Sequence, residues 1–272
     1  MSSVTLQSEP VRQRARGAIR LGYGAAGLER LHQSGCGRCL FPNPFGGDAQ
    51  AVVINTAGGL TGGDRFGVEV TLGQEARLVL TTQAAERIYR SIGGAAEVHN
   101  QVQVGAGASL HWLPQETILF DHAALRRRLE VELAADASFL GLETLVLGRR
   151  AMGEAVTRAA LRDQWRIRRN GRLIHGEALR LDGDIGKLSG TQALLDGARA
   201  GAVLVLVSPH AETLLETARA LLPADGVRAA ASAWNGRLVV RWMAQDLMPL
   251  KAAQARFLAG FPGAAVPRVW QI

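Results

Sequence analysis

The stretch QWRIRRNGRLIH at residues 164–175 has the pattern of a β-hairpin. Two short runs that alternate apolar and polar residues flank the dipeptide Asn170-Gly171. Asn-Gly accepts the positive φ angles of a type I′ turn, and the twist of that turn matches the strands it joins. Asn235-Gly236 separates the runs 231–234 and 237–242 in the same way. The sequence therefore predicts two tight antiparallel hairpins in its second half.

The same period of two extends through the first half of the chain. Residues 68–72, 98–104 and 129–133 alternate apolar and polar side chains, which is typical of half-buried strands. Helical periodicity is confined to two late segments, 209–222 and 243–261. The pattern predicts one domain over residues 1–272, mainly β, with two α-helices toward the C-terminus.

Composition narrows the class of protein further. Of the 272 residues 47% are hydrophobic, which excludes a disordered chain. No apolar run reaches the roughly 18 residues of a membrane helix. Residues Met1–Pro10 are polar and lack the apolar region of a secretory signal. We therefore expect a cytoplasmic protein without a membrane partner.

The charge balance leaves several partners open. The formal net charge is +7, and eight arginines lie between residues 149 and 172. Such a balance suits acidic partners and ion-paired protein interfaces, but it also follows from an arginine-rich coding bias. A nucleic-acid-binding β protein would usually add interleaved aromatics, and aromatics are only 5% of this chain. We expect no nucleic-acid partner.

Two runs resemble nucleotide-binding motifs but lack features that such motifs require. Residues 22–27 match G-x-G-x-x-G, but Gly35 and Gly37 soon follow and leave no room for the long helix of a dinucleotide site. We interpret the segment as a turn between strands. The run 186–189 resembles a phosphate loop, yet Leu188 occupies the Ser/Thr position and Leu181 the first glycine position. A Walker motif is therefore absent.

The cysteines and histidines give no metal-ligand pattern. Cys36 and Cys39 form one C-x-x-C pair, which is half of a structural zinc site, and a reactive thiol pair is the alternative. The six histidines are scattered along the chain. We assign no role to either set.

One segment is unusual in its glycine content. The run NTAGGLTGGD at 55–64 has four glycines in six residues, which permits positive φ angles and close backbone approach. It resembles the signature of the urease accessory protein family UreD, also called UreH. The runs 81–90 and 112–120 are similar to the second and third motifs of that family, and residues 148–149, 153–154 and 267–270 agree as well. Their joint order over nearly the whole chain is highly specific.

The resemblance carries clear implications. It implies an elongated, β-helix-like body with two helices and no catalytic activity. It implies a scaffold that works with UreF and, through UreF, with the GTPase UreG. This assembly binds urease apoprotein and helps to install its two nickel ions, with UreE as the nickel donor. No cofactor is permanently bound, and nickel passes transiently through a proposed internal route.

Chemistry constrains the residues of such a route. A conduit must bind an ion well enough to admit it and weakly enough to release it, so carboxylates, amides and water suit nickel passage better than imidazole or thiolate. The candidates are Asp64, Glu143 and Glu177, with Glu116 as a weaker one. Each could instead be a surface carboxylate or the partner of an arginine. For the whole chain, the alternative is a stand-alone β-helix enzyme acting on sugars or acids, which needs a clustered acid–base pair.

The missing phosphate loop gives the first prediction. The isolated chain should neither bind GTP tightly nor hydrolyse it, because Leu188 stands where the Mg²⁺-binding hydroxyl is required and Leu181 stands where the first glycine of the loop is required. Equilibrium binding of a fluorescent GTP analogue and a phosphate-release assay on purified protein would check this. Turnover by protein free of UreG would contradict it.

Overall fold

The computed structural model describes residues 13–43, 47–149, 152–192 and 195–271. Residues Met1–Pro10, on which the expectation about a signal segment depends, lie outside them. The described chain is mostly strand, with three α-helices and two 3-10 turns, Ala211–Leu214 and Arg268–Gln271. The strands are β1 (Arg16–Gly24), β2 (Gly27–Gly35), β3 (Gly37–Leu40), β4 (Ala49–Asn55), β5 (Arg65–Leu72), β6 (Arg77–Thr82), β7 (Glu86–Ile88), β8 (Ala96–Val104), β9 (Ser109–Leu113), β10 (Thr117–Leu119), β11 (Ala123–Leu133), β12 (Ser138–Leu147), β13 (Arg158–Arg169), β14 (Arg172–Asp184), β15 (Ala200–Val207), β16 (Val227–Trp234) and β17 (Arg237–Ala244). The helices are α1 (Ile185–Ser189), α2 (Leu215–Leu221) and α3 (Leu247–Gly260).

The centre of the molecule is a β-solenoid. From β4 to β13 the chain passes back and forth between two sheets, so that β5, β8, β11 and β13 form one parallel ladder. The strands β4, β6, β9 and β12 form the other. The short strand β10 pairs in parallel with the end of β12, and the short strand β7 pairs in parallel with β10. The mainly β, β-helix-like prediction is confirmed.

Antiparallel strands extend both sheets. The seven-stranded sheet has the order β14-β13-β11-β8-β5-β1-β2, and the ten-stranded sheet runs β16-β17-β15-β12-β9-β6-β4-β3 with β7 and β10 attached. The two predicted hairpins are confirmed as β13–β14 and β16–β17. Asn170 and Gly171 have φ angles of 49° and 75°, and Asn235 and Gly236 have 48° and 74°. These are the positive angles that a type I′ turn requires.

Two apolar cores hold the sheets and helices. One lies between the sheets and includes Leu129, Phe139 and Trp165. The other lies between the outer face of the ten-stranded sheet and the helices α2 and α3. There the rings of Trp242 and Phe257 meet edge to face at 5.2 Å. No helix of the described residues is long and apolar enough to cross a membrane.

The structure adjusts several local predictions. Residues 22–27 form the β1–β2 hairpin, which confirms the turn and excludes a dinucleotide site there. The predicted helix 209–222 is a 3-10 turn followed by the shorter α2, and the predicted helix 243–261 begins only at Leu247 because Met243 and Ala244 belong to β17. The short helix α1, over residues 185–189, is an addition. The Asp184 side chain caps it by accepting a hydrogen bond from the Lys187 amide.

The glycine-rich loop packs tightly against its neighbours. A Cβ atom on Gly62 would lie 2.4 Å from the carbonyl oxygen of Gly93 and 2.7 Å from that of Gly94. Gly58 has a φ of +73° but open space around it. The loop therefore uses its glycines for two reasons, close backbone approach at Gly62 and a left-handed conformation at Gly58.

This difference separates two substitutions. Gly62→Ala should destabilise the fold strongly, by roughly 2 kcal/mol or more, because backbone carbonyls must move. Gly58→Ala should cost only about 1 kcal/mol, the strain of the left-handed conformation. Urea unfolding of both variants measures the free energies. Equal losses would show that close packing does not govern this loop.

Candidate functional site

A small cavity with a mostly apolar wall lies inside the solenoid, between the two sheets. Its volume is about 70 Å³, which is enough for several water molecules. Most of its wall is apolar, as expected for inward positions of alternating strands. Several polar side chains interrupt that wall, namely Thr82, Glu86, Asn100, Gln115, Thr117, Arg127 and Glu143.

Arg127 is the centre of this polar group. It lies on β11 at an inward position and is 7% exposed. Its Nε and Nη2 atoms bind the two carboxylate oxygens of Asp163, its neighbour on β13, at 3.0 and 2.5 Å. From the opposite sheet, Glu143 on β12 places Oε2 2.6 Å from Arg127 Nη2. Arg127 also donates to Thr117 Oγ1 at 3.0 Å. One guanidinium thus links both sheets and the short strand β10.

The buried charges shift one another's protonation. Burial raises the pKa of Glu143 to about 7, and nearby Asp163 adds to the rise while Arg127 opposes it. The Trp112 indole also opposes it by donating to Glu143 Oε1 at 3.1 Å. Burial alone would lower the pKa of Arg127, but the two carboxylates raise it, so Arg127 stays charged.

Glu86 lies where the cavity meets the surface. It lines the interior cavity and also an outer pocket of about 230 Å³ bordered by Gly58, Gln83 and Arg87. Asn55 of the glycine-rich loop donates its amide to both carboxylate oxygens of Glu86, at 3.1 and 3.2 Å. Burial raises the pKa of Glu86 to about 7, against the opposing effect of that amide.

Glu177 lies on β14 at the far end of the interior. Its Oε2 atom is 2.5 Å from Arg241 Nη2 on β17 and 3.8 Å from Nε2 of the buried His175. Burial raises the pKa of Glu177, Arg241 opposes the rise, and Asp163 adds to it. The charge of Asp163 thus raises the pKa of both Glu143 and Glu177.

Asp64 has a different environment from the other two predicted acids. It is 4% exposed and does not line the cavity. Its Oδ1 accepts the Ala15 amide at 2.9 Å, and its Oδ2 accepts the Thr61 amide at 2.8 Å. These bonds tie the glycine-rich loop to the start of β1 and favour the structural alternative for Asp64. The structure therefore places Glu143 in the cavity, Glu177 on β14 beside Arg241, and Asp64 in the glycine-rich loop, and of the three only Glu143 lines the cavity.

The remaining candidates have ordinary partners. Glu116 is buried and pairs with Lys251 of α3 at 3.0 Å. Burial raises the pKa of the Cys36 thiol and raises that of Cys39 to about 11, so the geometry gives no support to a reactive pair. Within the described ranges, no group of three or more His, Cys, Asp or Glu side chains could hold a metal ion.

Sequence reasoning missed Glu86, Arg127 and Asp163. A signal for the last two was present, because each occupies an inward position of its strand. Arg127 stands between Leu125 and Leu129, and Asp163 alternates with Trp165 in the same phase. A charge in the apolar phase of a strand must be paired, since an isolated buried charge costs several kcal/mol.

Comparison with known proteins gives one consistent result. A family model described as "UreD urease accessory protein" matches residues 15–271. The chain is 45% identical over 275 residues to the urease accessory protein UreD of Rhizobium leguminosarum bv. viciae, with 100% of both chains covered. It is 46% identical to the UreD of Methylobacterium sp. (strain 4-46), again over 100% of both chains. The UreD of Xanthobacter autotrophicus (strain ATCC BAA-1158 / Py2) is 46% identical over 99% of this chain and 94% of its own length.

The raised pKa of Glu86 gives a prediction for the free energy of unfolding. Its folded value of about 7 exceeds the ordinary value of 4.5, so the folded state binds the proton more tightly. This stabilisation is complete at low pH and is lost as the pH rises from about 4.5 to about 7. Glu86→Gln should therefore gain stability relative to the wild type as pH rises through that window, and the gain should be constant above it.

Urea unfolding at about pH 5.5 and about pH 8 measures this change. Glu216→Gln is the matched control, because the Glu216 side chain is 81% exposed on α2. A Glu86→Gln difference that is the same at both pH values would show that the carboxyl group is not perturbed.

Proposed function

The chain belongs to the UreD family of urease accessory proteins, and from this we propose that it is a scaffold for assembly of the urease nickel centre. It binds urease apoprotein together with UreF and, through UreF, the GTPase UreG, while UreE supplies the nickel. The relatives are named as accessory proteins and not as an enzyme, and similarity over the full length supports the same role here.

We also propose that nickel crosses the solenoid along its buried acids. The observation that supports this proposal is the pair of carboxylates, Glu86 and Glu143, in one mostly apolar cavity. Glu86 also lines the outer pocket beside the glycine-rich loop, and the charge of Asp163 raises the pKa of both Glu143 and Glu177. A core evolved for stability alone gains little from such charges, because desolvation costs about as much as their attraction returns.

The oxygen donors along the proposed route suit the transfer of nickel better than its storage. Carboxylate and amide oxygens with water bind nickel more weakly than imidazole or thiolate, so an ion can leave each position. The raised pKa of Glu86 and Glu143 adds a second property. Each acid can be neutral while the route is empty and ionise when a cation approaches, which lowers the cost of the empty state.

Arg127 stabilises the empty route in this mechanism. With both acids ionised, Arg127, Glu143 and Asp163 carry a net charge of −1. While no metal ion is present and Glu143 is neutral, the guanidinium balances the carboxylate of Asp163. For nickel to pass, the Arg127 side chain must release one carboxylate, so it acts as an internal barrier that only a competing cation displaces.

The alternative of a sugar- or acid-modifying enzyme receives less support. Glu143 and Asp163 are close together, but the cavity beside Glu143 holds only about 70 Å³, far less than the roughly 300 Å³ or more of a typical ligand site. Both carboxylates are also engaged by Arg127 rather than open to a substrate.

Complementation of a deletion strain tests the scaffold and the route together. Deletion should leave urease protein present but lacking nickel and activity, and the wild-type chain should restore both. The double variant Glu143→Gln and Glu177→Gln should restore assembly but not loading. If the two carboxylates together lower the barrier by about 1.4 kcal/mol, the rate of activation should fall about tenfold.

Metal analysis of purified urease and pull-down of the accessory complex are the two measurements. Glu216→Gln, on the exposed surface of α2, should behave as the wild type. Full activation in the deletion strain would refute the scaffold. Normal loading by a folded double variant would refute the route and leave the scaffold standing.

A further inference from the structure

The outer face of the seven-stranded sheet is open and rich in arginine. No described element packs on its central strands, and its outward positions lie mostly in the exposed class. The cross-strand register places arginines and a smaller number of acidic residues together on this face. The arginines include Arg16, Arg20, Arg30, Arg65, Arg126, Arg128, Arg158, Arg162, Arg166, Arg168 and Arg180, and the acids include Glu69, Glu97, Glu130, Glu132, Asp182 and Asp184.

The charges are arranged in rows across the strands. One row runs Arg16–Arg65–Glu97–Arg126–Arg162–Arg180, with one residue from each of six neighbouring strands. At the usual strand spacing it spans about 24 Å. Ala18, Gly67 and Ala178 lie in the next row and keep the surface flat between the long side chains. We call this surface the arginine face.

Several arginines of this face have no partner within the described chain. Two of the glutamates form ion pairs on this face. Arg20 Nε lies 3.0 Å from Glu69 Oε2, and Arg126 Nη1 lies 3.1 Å from Glu97 Oε1. The side chains of Arg16, Arg65, Arg128 and Arg166 form no ion pair with a described residue. A protein gains nothing from a cluster of unpaired like charges, since they repel one another.

One position on the arginine face has the shape of a subsite. Arg128 and Arg166 flank a depression of about 70 Å³, which Gln164 and Glu130 complete. The Glu130 carboxylate, which lies 3.1 Å from His99 Nε2, also lines the depression, so two guanidinium groups and one carboxylate leave a net charge of +1 there. Two guanidiniums beside an amide match a carboxylate, which accepts paired N–H donors from arginine.

We propose that the arginine face docks an acidic protein surface that presents carboxylates to Arg128 and Arg166. This inference rests on the proposed function, in which the chain works in a complex. Nucleic acid is disfavoured because acidic residues lie among the arginines and no Phe, Tyr or Trp side chain lies in these rows. A membrane surface is disfavoured because anionic headgroups would meet the acidic residues of these rows, and the exposed Leu173 opposite Arg168 is a single apolar side chain and not an apolar patch.

Charge reversal on the full chain tests the proposal. Arg128→Glu with Arg166→Glu should weaken binding to the acidic partner at least about tenfold at 0.15 M salt and flatten its salt dependence. The matched control, Lys187→Glu with Arg219→Glu, changes the net charge equally at exposed positions on α1 and α2. It should bind as the wild type does.

The affinities for purified UreF and for urease apoprotein are measured separately, by biolayer interferometry. Loss with either partner supports the proposal and identifies the source of the carboxylates. Circular dichroism checks folding, and Arg128→Ala with Arg166→Ala replaces the reversal variant if that one misfolds. Unchanged affinity for both partners overturns the arginine face as a docking surface.

Two further binding measurements test nucleic acid and membrane as alternative ligands of the arginine face. A duplex DNA and vesicles with anionic headgroups are tested in parallel, and a loss confined to either would overturn the proposal in favour of that ligand. If the wild-type chain itself binds neither UreF nor urease apoprotein, the proposed function fails. The failure of the proposed function is thereby distinguished from failure of the docking surface.

Discussion

The ion pairs of Arg127 constrain the interior of this protein more than any other interaction. A guanidinium at 7% exposure is tolerable only if its charge is balanced, and Asp163 and Glu143 balance it from two different sheets. Each strand must therefore keep its register, because a shift of one residue would turn a charge outward and leave its partner unpaired. Removing one partner of such a pair costs about 3–5 kcal/mol. The ion pairs of Arg127 thus account both for the charged side chains in the interior and for the fixed register of β11, β12 and β13.

The glycine-rich loop gives that interior a connection to the surface. Asp64 accepts two backbone amides and fixes the loop, and Gly62 lets it approach the backbone at Gly93 and Gly94. The fixed loop in turn holds Asn55 against Glu86, at the border between the outer pocket and the cavity. A residue with a structural role therefore positions a residue with a proposed chemical one. This explains why a motif made largely of glycine can belong to a functional site.

The two faces of the seven-stranded sheet carry different sets of charged side chains. Strands β11 and β13 contribute Arg127 and Asp163 to the interior and Arg128 and Arg166 to the outer surface. Alternation in a strand makes this possible, since neighbouring residues point to opposite sides. The interior charges are paired and desolvated, and those outside are solvated and partly unpaired. In the proposed complex the inner face would handle a metal ion while the outer face holds a protein.

The sequence by itself determined the local structure and the family. The Asn-Gly dipeptides specify both hairpins because few other residues accept two successive positive φ angles, and the period of two separates inward from outward residues. The order of the motifs pointed to urease accessory proteins. Only the tertiary structure decided which inward charges meet. Arg127 and Asp163 are 36 residues apart, and Asn55 and Glu86 are 31 apart. Periodicity fixes the face on which a side chain lies, but the stagger between successive turns of the solenoid fixes its neighbours. For that reason Glu143 and Glu177 could be chosen as acids from the sequence. The position of Asp64 outside the cavity, and the contacts of Arg127 with Asp163 and Glu143, could not be predicted from it.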